Sequence, residues 1–261
     1  MKRGAELIRE IDETLTATPT LWWLGHAGFI VRFANITFYI DPCLSTPPGR
    51  ERLVASPLNP SELKHADMIF TTHGHAGHLD APTVSAMLNA SRPAKVVLPK
   101  SVADEAHAGG IPYNRMTTTD SGLRVEYFKD NLYGRVYAVP SAHPRLAWTR
   151  ETGYPYLGYL IRFGRWTIYH AGDCTPYPEL AGHLRPFNVT VAILPIGGMY
   201  FSPTDAAELA AEIGAKWVVP MHYGTFSEDR ESEFVSHMLG HWPEQKFRVF
   251  QVGEGWTVPE E

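Results

Sequence analysis

Short runs of β-branched and aromatic residues recur along the whole chain, and turn-forming residues separate them. Runs of this length and composition are typical of buried strands. Strands are therefore predicted at residues 21–25, 29–33, 36–40, 68–72, 95–99, 136–140, 159–163, 166–170, 191–195 and 217–220. Helices are predicted at residues 5–15, 81–90 and 204–213. Four prolines within residues 46–60 predict an irregular loop there.

One stretch of this pattern occurs twice. Residues 28–41 and 158–173 both run through a glycine, a strand, a tight turn, a second strand and an aspartate. This internal repeat indicates a duplicated β-rich half, with Asp41 and Asp173 brought to one edge of a two-sheet core. Helices on the outer faces would complete an α/β fold, a four-layer αββα sandwich formed by residues 1–261 as a single domain.

Composition and charge narrow the class of protein. Of 261 residues, 44% are apolar and 20% are charged, so the chain can bury a sizeable core. Lys and Arg total 23 against 28 Asp and Glu, which disfavours nucleic acid and anionic membrane surfaces as partners. No apolar stretch reaches the roughly 18 residues of a membrane span. The amino terminus lacks the apolar core of a secretory signal, which favours a cytoplasmic protein.

Three of the 12 histidines lie within six residues, in the segment from Thr72 to Asp80. His73, His75 and His78 follow a predicted strand and are separated by glycines, so a tight loop can direct them to a common centre. Imidazole is a good ligand for zinc, manganese or iron, and an open catalytic site uses three protein ligands plus water. The alternative is a polar turn with solvent-exposed histidines.

Further metal-capable residues follow three other predicted strands. His143, Asp173 and His222 each come just after a buried-type strand, where α/β enzymes place functional groups. Taken singly, each has an ordinary alternative as a satisfied histidine or a turn-capping aspartate. Their shared position indicates a metal site.

These motifs, together with Leu24-Gly25-His26, Ile40-Asp41-Pro42 and Leu194 to Gly198, span residues 24–226. Their order resembles the metallo-β-lactamase superfamily, and most closely its ascorbate-6-phosphate lactonase-like and N-acylphosphatidylethanolamine phospholipase D-like hydrolases. The resemblance implies two metals: the first held by His73, His75 and His143, the second facing His78 and His222, with Asp173 bridging them. It also implies a metal-dependent hydrolase, with Zn²⁺ or Mn²⁺ as cofactor, in which an activated hydroxide attacks the substrate.

The substrate expected from the resemblance is a lactone or ester of a small, possibly phosphorylated metabolite. A phosphodiester is the alternative, and Arg50, Arg145 or Arg150 would then supply donors to the phosphate. A non-catalytic metal- or ligand-binding protein is a third reading, because one family ligand is missing.

That missing ligand is the aspartate of the family motif HxHxDH, whose position Gly77 holds here. We therefore expect an occupied first site and a weak or empty second one, and we expect Gly77→Asp to raise the metal content towards two ions. Two residues close to other candidate ligands carry side chains that could bind a metal in its place. Asp80 is expected to cap a helix instead, and Cys174 to be a small buried apolar residue.

Four further residues are candidates for supporting roles. Asp41 is expected to orient a metal-bound histidine, unless it only forms an Asp-Pro turn. His26 is expected to bind substrate or donate a proton as a catalytic group. Tyr200 and Tyr223 are expected either to line the pocket or to pack in the core.

Overall fold

Two seven-stranded sheets dominate the computed structural model, which describes residues 2–197, 201–226 and 230–260. In chain order the strands are β1 (Thr20–Gly25), β2 (Gly28–Phe33), β3 (Ile36–Ile40), β4 (Met68–Phe70), β5 (Lys95–Pro99), β6 (Met116–Thr119), β7 (Arg124–Lys129), β8 (Leu132–Pro140), β9 (Leu157–Phe163), β10 (Trp166–His170), β11 (Val191–Pro195), β12 (Trp217–Met221), β13 (Lys246–Phe247) and β14 (Gly255–Thr257). The first sheet has the order β14-β1-β2-β3-β4-β5-β6 and the second β13-β12-β11-β10-β9-β8-β7.

Helices cover the outer faces of both sheets. They are α1 (Gly4–Glu13), α2 (Ala81–Ala90), α3 (Ala103–Ala108), α4 (Leu180–Leu184), α5 (Pro203–Ile213) and α6 (Glu231–His241). The outer face of the first sheet packs on α1, α2 and α3 in one apolar cluster. The inner face of the first sheet packs on the second sheet in another, larger apolar cluster. That cluster continues into α4, α5 and α6. The predicted α/β sandwich of four layers is confirmed.

The repeated segment forms an equivalent hairpin in each sheet. In the first sheet β2 and β3 pair antiparallel and β3 then pairs parallel with β4. In the second, β9 and β10 pair antiparallel and β10 pairs parallel with β11. Since the two hairpins end at the same edge of the sandwich, Asp41 and Asp173 both reach His78, at 2.7 and 3.2 Å. The expected delivery of Asp41 and Asp173 to one edge of the two-sheet core is confirmed.

Two predicted elements are shorter in the structure. The strand predicted at 68–72 ends at Phe70, because the backbone N–H of Thr72 leaves the sheet and donates to Asp41 Oδ1 at 2.8 Å. The helix predicted at 5–15 ends at Glu13, where Thr14 turns to an extended backbone. The helix after Ser202 has the expected capping box, and Gly214 ends it with a φ of +66°.

Several short or half-exposed elements were missed by the sequence pattern. Strand β7 lies at an edge of its sheet, and its residues alternate between exposed and half-buried, so it lacks an apolar run. Strands β13 and β14 have two and three residues and are held by their neighbours rather than by their composition. Among the described residues, no helix is long and apolar enough to cross a membrane.

Candidate metal centre

The histidine-rich loop connects β4 to α2 along the edge where both repeated hairpins end. It closes on itself through His75, whose carbonyl accepts hydrogen bonds of 2.8 Å from the backbone N–H groups of His78 and Leu79. It ends at Asp80, whose carboxylate accepts from Thr83 N–H at the start of α2. Asp80 is thus the helix cap predicted from the sequence, and its side chain serves the helix.

The second sheet brings its candidate ligands to the same place. Asp173 follows β10 after Gly172, which has a φ of +61° and whose added Cβ would lie only 2.9 Å from Thr72 Cβ. Glycine is therefore required at 172 for the loop after β10 to pack on the start of the histidine-rich loop. The loop holding His143 is joined to the loop holding Asp173 by a 2.7 Å hydrogen bond from Thr175 N–H to the carbonyl of Ala142.

Among the described residues, the potential donors form two groups. His73, His75, His143 and Asp173 make up the first group, and His26, His78 and His222 the second. Within each group the donor atoms lie within 4.8 Å of one another. Since a zinc–nitrogen bond is about 2.0–2.1 Å long, each group converges on a single ion with small side-chain movements.

The carboxylate of Asp173 lies between the two groups. Its Oδ2 is 3.6 Å from Nε2 of both His73 and His143. Its Oδ1 is 2.9 Å from Nε2 of His222 and 3.2 Å from Nε2 of His78. One oxygen therefore faces each group, as in a carboxylate that bridges two cations.

The environment sets the charge of these side chains. Burial favours a protonated Asp173, but His222 and His78 outweigh it and hold the pKa of this carboxyl well below its usual value. Burial and the neighbouring His78 lower the pKa of His73 well below 6.5. An ionised aspartate and a neutral imidazole are the forms that bind metals.

His78 is held from both sides. Burial opposes its protonation, yet the carboxylates of Asp173 and Asp41 outweigh burial and raise the pKa of His78 to about 10. The Asp41 carboxylate is fully buried, and it also accepts hydrogen bonds of 2.8 and 2.7 Å from Thr72 N–H and Thr72 Oγ1. Asp41 thereby anchors the loop and fixes which nitrogen of His78 faces Asp173.

The hydrogen bonding of the donor atoms also indicates a metal ion, independently of any sequence motif. His26 Nδ1 and His73 Nε2 are buried and have no hydrogen-bond partner in the part of the chain that the structure describes. Buried polar atoms are nearly always satisfied, so orphaned nitrogens at one place require an explanation. A cation between them supplies it.

Comparison with known proteins agrees with this chemistry. Residues 37–223, more than half of the chain, match the family described as the beta-lactamase superfamily domain. A UPF0173 metal-dependent hydrolase of Caldivirga maquilingensis is 31% identical over 244 residues, which cover 92% of this chain and 98% of the relative. The chain belongs to the UPF0173 metal-dependent hydrolase family. The predicted metallo-β-lactamase superfamily is confirmed, whereas the two subfamily resemblances stay predictions.

Solved structures share the fold of this UPF0173 hydrolase at low sequence identity. A metallo hydrolase from Ignicoccus hospitalis is similar with a TM-score of 0.70 and 23% identity, covering 94% of this chain and 100% of the other. The diiron β-hydroxylase of Streptomyces venezuelae is similar with a TM-score of 0.66 and 17% identity, covering 92% of this chain and 54% of the other. Since a hydroxylase has this fold too, the fold alone does not determine the reaction.

One of the two tyrosines expected near the pocket can be placed. Tyr223 of the UPF0173 hydrolase is buried, stacks on Trp23 at 4.4 Å between ring centroids, and donates a 2.6 Å hydrogen bond to the carbonyl of Phe250. It is a packing residue, which corrects the pocket-lining expectation. Tyr200 lies outside the described residues. Cys174 is buried and belongs to neither donor group, as the sequence predicted.

The sequence analysis missed two aromatic residues beside the centre. Tyr156 stacks on His143 with 4.5 Å between ring centroids and an interplanar angle of 22°. Phe226 packs edge-on against His26 at 5.3 Å, and the guanidinium of Arg52 lies 5.0 Å from the Phe226 ring. Neither has a motif of its own; the only signal was proximity in sequence to a candidate ligand or to the strand that follows one.

Proposed function

We propose that this UPF0173 hydrolase cleaves a lactone or ester of a small anionic metabolite, with Zn²⁺ or Mn²⁺ held at the centre described above. The main observation that supports this proposal is the position of Asp173, with one carboxylate oxygen facing each group of histidines. Imidazole and carboxylate together suit both metals, so the donor set favours neither.

The residues divide into holding and orienting roles. His73, His75 and His143 would hold the first ion, and the carboxylate of Asp173, which faces both groups of histidines, would serve both sites. Bound there, a metal ion activates a water molecule as nucleophile and stabilises the negative charge that develops on the substrate. Asp41 orients His78 through the hydrogen bond to its Nδ1, since metal-bound imidazoles usually donate their other N–H to a carboxylate.

The loop of residues 46–60 supplies a cation for the substrate. Arg50 is exposed, and its guanidinium carbon lies 5.9 Å from the centroid of the Phe226 ring. Phe226 in turn packs on His26, a member of the second group of donors. Arg52 is instead engaged with the carbonyls of Cys43 and Ser45. Of the two arginines beside Phe226, Arg50 is therefore the one available to an anionic group of the substrate.

A phosphodiester is the second candidate substrate, and the same Arg50 supports it. Both candidates place the negative charge of the substrate beside Arg50, so the scissile group distinguishes them. The third reading, a non-catalytic binding protein, is disfavoured because the relatives are hydrolases and all donors other than the position-77 aspartate are in place. Two free buried cysteines support a reducing compartment such as the cytoplasm.

The test is a substrate panel after metal reconstitution. Protein purified without chelator is analysed for metal, stripped, reloaded with Zn²⁺ or Mn²⁺, and assayed on lactones, carboxylic esters and phosphodiesters. We expect metal-dependent hydrolysis in the lactone and ester classes and its loss in Asp173→Ala. Turnover of phosphodiesters alone would establish the second candidate. Stoichiometric metal with no turnover of any class would favour the binding protein.

A further inference from the structure

The ring of His26 lies where a side chain at position 77 would begin. An added Cβ on Gly77 would be 2.8 Å from Cε1 and 3.2 Å from Nδ1 of His26. These distances are shorter than ordinary van der Waals contact, so the ring and a position-77 side chain compete for one space. In the motif HxHxDH that space belongs to a metal-binding aspartate, and here an imidazole fills it.

We propose that His26 replaces the missing aspartate as a ligand of the second metal ion. The inference rests on the proposed function and assigns to the second site a donor set of His26, His78, His222 and Asp173. Three imidazoles and one carboxylate are also the donors of the first group. The second site is then complete without a position-77 ligand, contrary to the weak site expected from the sequence.

The backbone around His26 holds the ring in place. His26 has a φ of +52°, a left-handed conformation that costs free energy for a residue other than glycine. Its N–H donates to Thr225 Oγ1 at 2.8 Å, and its carbonyl accepts from Trp23 Nε1 and from the N–H of His222, both at 3.1 Å. The last bond ties His26 directly to another donor of the same group.

The ring itself has the position and the free atom of a ligand. Its centroid lies 4.1 Å from that of His222 and 5.3 Å from that of His78. The side chain is buried, and Nδ1 has no hydrogen-bond partner among the residues that the structure describes. Phe226 packs on the ring edge-on at 5.3 Å and helps to exclude water. A group that only donates protons to substrate would not need to lie within 4.8 Å of two other donors.

The experiment is a metal titration of the stripped protein and its variants, with a competing chelator and with Co²⁺ absorption as the readout. His26→Gly removes the ring and suits the left-handed backbone, so it avoids new strain. We expect two ions in the unchanged protein. His26→Gly should retain the first ion and bind the second with lower affinity. Losing an outer partner of a metal ligand costs roughly 10–100-fold in affinity, and losing the ligand itself should cost more. His75→Ala is the matched control, which should lose the first ion and keep the second.

Rescue separates a lost ligand from a disturbed fold. Free imidazole should restore the second Co²⁺ spectrum in His26→Gly by filling the vacated space. His26→Gly combined with Gly77→Asp should restore the second ion by returning the aspartate. Gly77→Asp alone should not raise the metal content, because its Cβ meets the His26 ring at 2.8 Å. This reverses the expectation drawn from the sequence.

The outcomes distinguish the two proposals. Two ions of unchanged affinity in His26→Gly would overturn the role of His26 and leave the metal-dependent hydrolase intact. A single ion in the unchanged protein, lost in His75→Ala, would likewise overturn it. Failure of both rescues would also overturn it. No metal in any form of the protein would instead contradict the proposed function.

Discussion

Asp41 Oδ2 accepts a 2.7 Å hydrogen bond from Nδ1 of His78, and both side chains are buried. The two residues lie in different parts of the first sheet's edge, one after β3 and the other in the loop after β4. This contact leaves Nε2 of His78 directed at Asp173, 3.2 Å from its Oδ1. The orientation of one proposed ligand is thus set by a residue that, among those the structure describes, belongs to neither group of donors.

Asp41→Asn removes the charge that orients His78 while keeping the size of the side chain. We expect the affinity for the second ion to fall by about 10–100-fold, the usual cost of losing an outer partner of a metal ligand. Metal titration measures the change. Asp12→Asn is the matched control, because Asp12 also pairs with a histidine, His65 Nδ1 at 2.8 Å, away from the metal centre. Equal affinity losses in both variants would contradict the assigned role.

His75→Ala tests the first site. His75 is the exposed member of its group, so its removal should leave the fold unchanged. We expect loss of the first metal ion and of hydrolysis, measured by elemental analysis and by the substrate panel. The control His107→Ala removes an exposed histidine that stacks on Tyr113 and belongs to neither group of donors, and it should change neither quantity. Unaltered metal content in His75→Ala would exclude the first site as described.

Arg50→Ala tests recognition of a negative charge. Because Arg50 is exposed and lies 5.9 Å from the ring of Phe226, which packs on His26, we expect a higher KM for an anionic substrate with little change in kcat. Metal content should stay the same. Arg150→Ala is the control, since Arg150 lines a separate cavity of about 250 Å³ with Lys100 and Trp148. An unchanged KM in Arg50→Ala would remove this arginine from substrate binding.

Removing the metal should lower thermal stability. An ion that binds only the folded state stabilises it by about 2.7 kcal/mol at a free concentration 100 times its Kd. At about 2–4 °C per kcal/mol, chelation should lower Tm by roughly 5–10 °C. Differential scanning calorimetry with and without chelator measures the shift. The shift should shrink in His73→Ala, and an equal shift in that variant would place the stabilising ion elsewhere.

The two cysteines should resist thiol reagents in the folded protein. Burial raises the pKa of Cys43 to about 12 and that of Cys174 to about 11, so both remain protonated thiols at pH 8. The thiolate is the reactive form. We expect no fast reaction with Ellman's reagent until denaturant is added, after which both cysteines react. Fast labelling of either cysteine before unfolding would contradict the burial described here.

Local sequence patterns were sufficient to predict the strands at the centres of the two sheets. Segments such as ITFYI and VAILP consist almost wholly of apolar and aromatic residues, since both faces of these strands are buried. Strand β7 was missed because its edge position requires no apolar run. The helix at Pro203–Ile213 was predicted within one residue because its capping box is a local signal.

For the metal donors too, the sequence indicated some features and only the tertiary structure decided the others. His73, His75 and His78 are close in sequence, and His143, Asp173 and His222 share a position after strands, so the chain indicates all six. Which nitrogen faces which oxygen of Asp173, and whether Tyr223 lines the pocket or packs on Trp23, depends on how the two sheets meet. His26 differs most: it is separated from Gly77 by three strands of the sheet and a long loop. No local pattern relates a glycine in one loop to an imidazole from another. Packing of the sandwich edge brings them within contact distance, and the small size of Gly77 leaves the room that the His26 ring occupies.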